Sequence, residues 1–295
     1  MVALSCYNGT MIICFGEILA DIFVNGADTQ ISLGGAPLNV AVAAHRSGAE
    51  VCFVGRVGAD VLGDMLIEKA KAYGVNLHIQ KDKDRNTSIA LVTLTDGERS
   101  FDFLRKNGAD ACVSGDGVAV GEGDILHFGS LPLSTKDGRA TCLALAKKAH
   151  KAGALVSFDV NYREGVFDDE GISAIREMID IADVVKYSGE DMAALYPDQG
   201  EDALSEAKAR LSVLTLGSEG CMVYFEGAIG YVPSEPVVPV DSTGAGDAFW
   251  GAMLAGIAKR HWNSLDMVVI EDCAEIACKN GADATQYVGA LPPLY

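Results

Sequence analysis

The sequence predicts an α/β chain, a three-layer α/β/α sandwich with a mostly parallel central sheet and a small β-lid. Strand-like apolar runs alternate with helix-length segments from Ile125 to Lys186, the βαβα rhythm of a parallel sheet covered by helices. Two hairpin signals, Asn25-Gly26 and Asp96-Gly97, interrupt that rhythm near the start and are read together as the lid. The chain has 295 residues, 49% of them hydrophobic and 22% charged, enough to bury a large core.

Residues 1–10 carry no periodic pattern and are read as an N-terminal extension, with one domain expected over 11–295. Met11–Phe15 reads as a short buried strand. Asp21–Val24 and Gln30–Leu33 form the first hairpin, and a helix over Pro37–Arg46 follows the Gly34-Gly35 pair. A strand to Val57, a helix around Leu62–Tyr73 and a second hairpin of Thr87–Leu94 and Ser100–Leu104 come next. Then strand-like Ile125–Phe128, Leu155–Asp159 and Val184–Lys186 alternate with helical Lys136–Lys151 and Ile172–Ile181. The lid segments, about 20–33 and 87–104, are placed over the C-terminal edge of the sheet, where open α/β folds bind ligands.

A formal charge of −18 opposes approach to nucleic acid or anionic lipid, so neither is an expected partner. No apolar run is long enough to cross a bilayer and the start lacks a signal-peptide pattern, so a cytoplasmic protein is expected. The eight cysteines contain no C-x-x-C pair and read as reduced, mostly buried thiols. In so acidic a chain, an anionic ligand needs strong local donors.

Asp241-Ser242-Thr243-Gly244-Ala245-Gly246-Asp247 supplies such donors, because it runs straight into the helical segment Ala248-Phe249-Trp250-Gly251-Ala252-Met253-Leu254. A helix start has unpaired N–H groups and a partial positive charge, and small residues let an anion approach them. An aspartate alone in a first turn is ordinary, being favoured there by the dipole. At the end of a G-A-G turn it gains another use, since phosphoryl transfer needs a carboxylate near the attacking hydroxyl and donors near the transferred oxygens. There is no G-x-x-x-x-G-K-[ST] P-loop.

D-S-T-G-A-G-D-A-F resembles the C-terminal signature of the ribokinase (PfkB) family of carbohydrate kinases. Gly34-Gly35-Ala36-Pro37-Leu38-Asn39-Val40-Ala41, with Gly48 and Gly55–Gly63 beyond it, resembles the N-terminal signature. The resemblance spans about Met11 to Pro293 and implies a ribokinase-like fold and an ATP-dependent sugar kinase. Asp247 is then the base, and the N–H groups of Gly244, Ala245 and Gly246 hold developing charge.

By the same resemblance Gly34 and Gly35 let the sugar approach the backbone, Asn39 bonds a hydroxyl, and Asp21, closing Gly16-Glu17-Ile18-Leu19-Ala20-Asp21, accepts from others. Phe101-Asp102-Phe103-Leu104-Arg105 and Asp159-Val160-Asn161-Tyr162-Arg163 resemble the fructokinase and 2-keto-3-deoxygluconate kinase branch, so Arg105 and Arg163 are expected to close over substrate or to neutralise phosphate charge. Similar acid-sugar kinases place a tyrosine where Phe103 stands, and Phe103 has no hydroxyl to donate. A neutral hexose, fructose first, is therefore the expected substrate. The alternatives are 2-keto-3-deoxygluconate, then ribose or a nucleoside, and a catalytically silent sugar-binding regulator.

For the nucleotide, Thr215-Leu216-Gly217-Ser218-Glu219-Gly220 resembles the ATP-contacting loop, so Gly217 and Gly220 are expected to bind the nucleotide, with Lys186 on the phosphate side. Ser188-Gly189-Glu190-Asp191 stands where relatives carry N-x-x-E, which leaves Glu190 as the Mg²⁺-associated carboxylate. Gly281-Ala282 and Gly289-Ala290 resemble the closing loops, with Cys278 in place of a common asparagine. A monovalent cation, K⁺, is implied near Asp241 and Thr243, and a homodimer through the lid is a further expectation.

Overall fold

The structure, a computed structural model, describes residues 10–25, 28–95, 98–205, 207–260 and 262–294. Residues 1–9 of the expected extension lie outside this set, as do Gly26, Asp96 and Gly97 of the two expected turns.

β1 (Met11–Phe15) forms where the chain first turns apolar, and alternate residues of it enter opposite cores. The antiparallel pair β2 (Leu19–Asn25) and β3 (Asp28–Gly34) leads into α1 (Ala36–Arg46), whose second residue is Pro37. β4 (Glu50–Gly58) is almost wholly buried, and α2 (Val61–Lys71) starts on Asp60, whose side chain accepts from the Gly63 amide. β5 (Asn76–Asp82) was not foreseen: its N-L-H-I-Q-K-D sequence serves a half-exposed edge strand and has no apolar run. β6 (Ile89–Thr95) and β7 (Glu98–Leu104) then form the second antiparallel pair.

From β8 (Ile125–Gly129) the alternation is regular. α3 (Lys136–Lys151) is capped by Thr135, with Lys148, His150 and Lys151 in its last turn where the dipole favours cations. β9 (Leu155–Asp159), α4 (Asp169–Ile181), β10 (Val184–Ser188) and the short helices α5 (Gly189–Leu195) and α6 (Asp202–Ser205) follow. β11 (Leu211–Thr215), β12 (Gly220–Phe225), β13 (Ala228–Pro233), α7 (Ala245–Ala258) and α8 (Met267–Ala284) complete the chain.

Among the described residues the strands make two sheets. The large one runs β13-β12-β11-β10-β9-β8-β1-β4-β5, parallel except that β12 is antiparallel to both its neighbours, β11 and β13. The small one runs β3-β2-β6-β7, its two hairpins joined by the parallel pair β2 and β6. Strand order reverses at β1, which has β4 on one side and β8 on the other; such a switch point opens a crevice at the carboxyl ends of its strands.

One core holds Leu38, Trp250 and Ile270 from α1, α7 and α8; the other holds Leu145, Ile175 and Met178 from α3 and α4. Trp250 is fully buried, and its indole N–H donates to Ser157 Oγ at 3.2 Å, with His127 Nδ1 3.1 Å from the same hydroxyl. This fastens α7 to β9. Burial and the nearby Lys186 push His127 down to about 3, so it stays neutral at ordinary pH. No helix among the described residues is long and apolar enough to cross a membrane.

Candidate active site

The site is built around the start of α7. Gly244 caps that helix at φ 76°, in the left-handed region, and a Cβ there would lie 2.6 Å from the Ala290 backbone. No side chain caps the helix. The loop before it is tied to the segment after α8 by Asp241, whose two oxygens accept the Thr243 and Gly289 amides, each at 2.8 Å. The Ala245 amide turns back onto the Ser242 carbonyl at 3.2 Å, so of the three expected anion donors this one is engaged within the loop.

Asp247, in the first turn of α7, meets α1. The two helices can approach because Gly251 has no side chain: a Cβ there would stand 2.6 Å from the Val40 carbonyl. Asn39 Nδ2 thereby donates to Asp247 Oδ2 at 2.8 Å, while Asn39 Oδ1 is buried without a partner. One N–H of the Asn39 amide is thus engaged by Asp247, and Asn39 also lines the polar cavity described below. Burial and the neighbouring Asp159 raise Asp247 to about 6, against the opposing pull of Asn39, Lys186 and Arg163.

Beneath this turn lies a buried ion pair on adjacent strands, Lys186 Nζ donating to Asp159 Oδ1 at 2.8 Å. Burial alone would lower Lys186, but Asp159, Asp191 and Asp247 together hold it above its ordinary value.

Two cavities meet at Ser242 and Gly246, which line both. The larger, about 490 Å³, opens at the switch point and is markedly polar. Asp21 and Phe103 reach it from the small sheet, and Gly35, Asn39, Arg163, Lys186, Glu190, Thr243, Gly244 and Asp247 from the rest of the chain. The smaller, about 250 Å³, is largely apolar; Gly217, Gly220 and Ala245 line it together with Val237, Pro239, Phe249 and Cys278.

Several residues sit differently from their expected places. Lys186, expected on the phosphate side, lines the polar cavity under the G-A-G turn, whereas Gly217 and Gly220 line the apolar one. Gly34 does not line that cavity; it leaves room for the Asp21 carboxylate, which a Cβ would meet within 2.6 Å. Gly35, at φ 119°, does line it and packs against the Glu17 carbonyl.

Arg105 stands behind the cavity wall. Its Nε donates to Asp110 at 2.9 Å and its Nη1 to Ser134 at 3.0 Å, and Asp110 also accepts from Ser88. Its charge is used to close the base of the small sheet, because Asp110 is almost wholly buried there. Arg105→Ala is accordingly expected to lower stability by roughly 1–3 kcal/mol, the cost of an under-satisfied buried carboxylate. A thermal melt checks this; an unmoved melt with a raised sugar KM would put the guanidinium on the ligand instead.

The S-x-x-D departure has a local explanation. Ser188 and Asp191 form a reciprocal capping box for α5, and Asp191 also accepts the Tyr162 amide at 2.7 Å. Glu190 is left facing the polar cavity. Among the residues of that cavity not foreseen as site residues are Glu17, Asp159 and Asn161. Asp159 ends a core strand and was read only as part of the frame for Arg163. Asn161 has φ 35°, which no sequence pattern announces.

The model of the pfkB family carbohydrate kinases matches residues 9–294. Fructokinase-1 of Zea mays is 35% identical, over 96% of this chain and 94% of its own length. A Vibrio cholerae fructokinase structure with fructose, ADP and calcium bound superposes with a TM-score of 0.89 at 30% identity, covering 97% of this chain and 96% of that one. An aminoimidazole riboside kinase from Salmonella enterica, with its riboside and an ATP analogue, gives 0.88 at 26% identity over 97% of each chain. A ribokinase-like sheet, both terminal signatures and a family match over nearly all of its length together make this chain a member of the pfkB family of carbohydrate kinases.

Proposed function

We propose that this kinase transfers the γ-phosphoryl group of ATP to a hydroxyl of fructose. The observation that carries the reading is the placement of Asp247 in the polar cavity, one residue after Gly246, where that cavity meets an apolar one. The sugar occupies the polar cavity, with Asp21, Gly35 and Arg163 around it and Phe103 on the lid side. The adenine occupies the apolar one, beside Gly217 and Gly220. The phosphates pass over Gly244 and Gly246, where an uncapped helix start favours negative charge.

Asp247, held by Asn39, takes the proton of the attacking hydroxyl as the phosphoryl group leaves ATP. Lys186 adds a fixed positive charge below the turn. The described residues contain no group of three or more His, Cys, Asp or Glu able to cage a metal, which suits Mg²⁺ carried in on the phosphates with Glu190 nearby. When bound near Glu190, Mg²⁺ would supply neutralisation of phosphate charge. A monovalent cation beside Asp241 and Thr243 suits the buried Asp241 carboxylate. The protein acts in the cytoplasm, and a homodimer through the small sheet is supported by the exposed Val24 and Leu104 on it.

Fructose is preferred because Phe103 offers the polar cavity a ring and no hydroxyl, and because the Zea mays and Vibrio relatives are fructokinases. Arg163 favours one rival, 2-keto-3-deoxygluconate, whose carboxylate it could pair with. A sugar panel followed by ADP release decides between them: kcat/KM is expected to be highest for fructose, ahead of the keto acid and ribose. A higher value for the keto acid would assign Arg163 to its carboxylate and overturn the preference. Sugar binding without ADP release would make the chain a regulator.

A further inference from the structure

We infer that Asp159 is a positioning residue for the transfer step: it pins Lys186 beneath the Gly244–Gly246 turn and offsets the lysine's charge at Asp247. The inference rests on the reading of Asp247 as the base.

Three features of Asp159 point this way. It ends β9 directly opposite Lys186 on β10, so one oxygen receives the ammonium at 2.8 Å. Its other oxygen is buried without a hydrogen-bond partner, although the residue lines the polar cavity that also holds Asp247. A carboxylate that served only to neutralise Lys186 would be expected to satisfy both oxygens, since an unpartnered buried one is costly. Lys186 Nζ in turn lies 3.5 Å from where a Gly246 side chain would begin, one residue before Asp247.

The groups facing Asp247 come from four directions: Asn39 on α1, Asp159 on β9, Arg163 after β9 and Lys186 on β10. Two are cations, which alone would make Asp247 a weak acceptor for a sugar proton. Asp159 opposes both and is the strongest charged influence raising Asp247. It thus lets a lysine stand close to the transferred phosphoryl group without disabling the base.

Asp159→Asn is the test, since asparagine keeps the size and can still accept from Lys186. The measurement is kcat/KM for sugar against pH, alongside the Mg²⁺ concentration for half-maximal rate. Wild type is expected to lose activity as pH falls through about 6, with Asp247 protonating. In Asp159→Asn that acid limb should move about one pH unit further down, kcat at neutral pH should fall about tenfold or more, and the Mg²⁺ requirement should stay put. Lys186→Gln should shift the limb the other way, a pair of opposite movements that loss of packing would not produce.

An acid limb unmoved in a folded Asp159→Asn enzyme overturns the inference while leaving Asp247 as base. So does an unmoved limb with a raised Mg²⁺ requirement, which would make Asp159 a metal ligand. A wild-type profile with no acid limb near pH 6 removes the base reading itself, and the inference with it.

Discussion

Asp247→Asn is expected to lower kcat by about 10²–10⁴-fold, the usual contribution of a positioned general base. Asparagine keeps the shape and can still accept from Asn39, which donates to Asp247 at 2.8 Å. The donors around the G-A-G turn are unaffected, so sugar and ATP should still bind. Stability should not suffer. Asp247 is raised to about 6 in the folded chain, so its ionised form is disfavoured by the fold. Its contribution to stability is fully present below the ordinary carboxylate range and is lost as pH rises through about 6. Asparagine has no such loss, and the variant should melt at or above the wild-type temperature at neutral pH. A folded variant within a few-fold of wild type would show that Asp247 is not the base.

Lys186→Met is expected to have the largest effect on stability. It leaves Asp159 buried without its countercharge, and breaking a buried pair from one side costs about 3–5 kcal/mol. For a chain of this size that is a fall in Tm on the order of 10 °C. Asp191 is less affected, because its oxygens are held by the Tyr162 and Ser188 amides and the Ser188 hydroxyl. With the lysine gone Asp159 shifts further upward, so the defect is largest at neutral and alkaline pH and shrinks as pH falls through its folded-state value. Adding Asp159→Asn should recover most of the lost Tm but none of the activity. Thermal melts of the two variants across pH check this, and a single variant that melts within two or three degrees of wild type would mean the pair holds little of the fold together.

The parallel strands and their helices could be read from sequence because each is buried and strongly patterned: β1, β9 and α3 begin and end where the apolar periodicity does. β5 was missed because an edge strand exposed along one side needs no apolar run. The terminal signatures located both ends of the site, since glycines at tight backbone approaches leave a fixed pattern. What sequence could not supply was the direction in which each polar side chain is spent. Asn39 and Arg105 were both read as reaching for substrate; Asn39 lines the polar cavity but also donates to Asp247, and Arg105 donates to Asp110. Those partners lie 208 and five residues away, and neither distance leaves a mark in the spacing. Asp159 was overlooked for the same reason, as its significance comes from the lysine on the next strand.

Phosphorus NMR of wild-type protein turning over ATP and fructose with Mg²⁺ tests the central claim most directly, because it reports where the phosphoryl group goes. ADP and a fructose monophosphate should appear in equal amounts, with no inorganic phosphate beyond a trace. Inorganic phosphate in place of a sugar phosphate, or no loss of ATP with any sugar of the panel, would contradict transfer between the two cavities across Asp247.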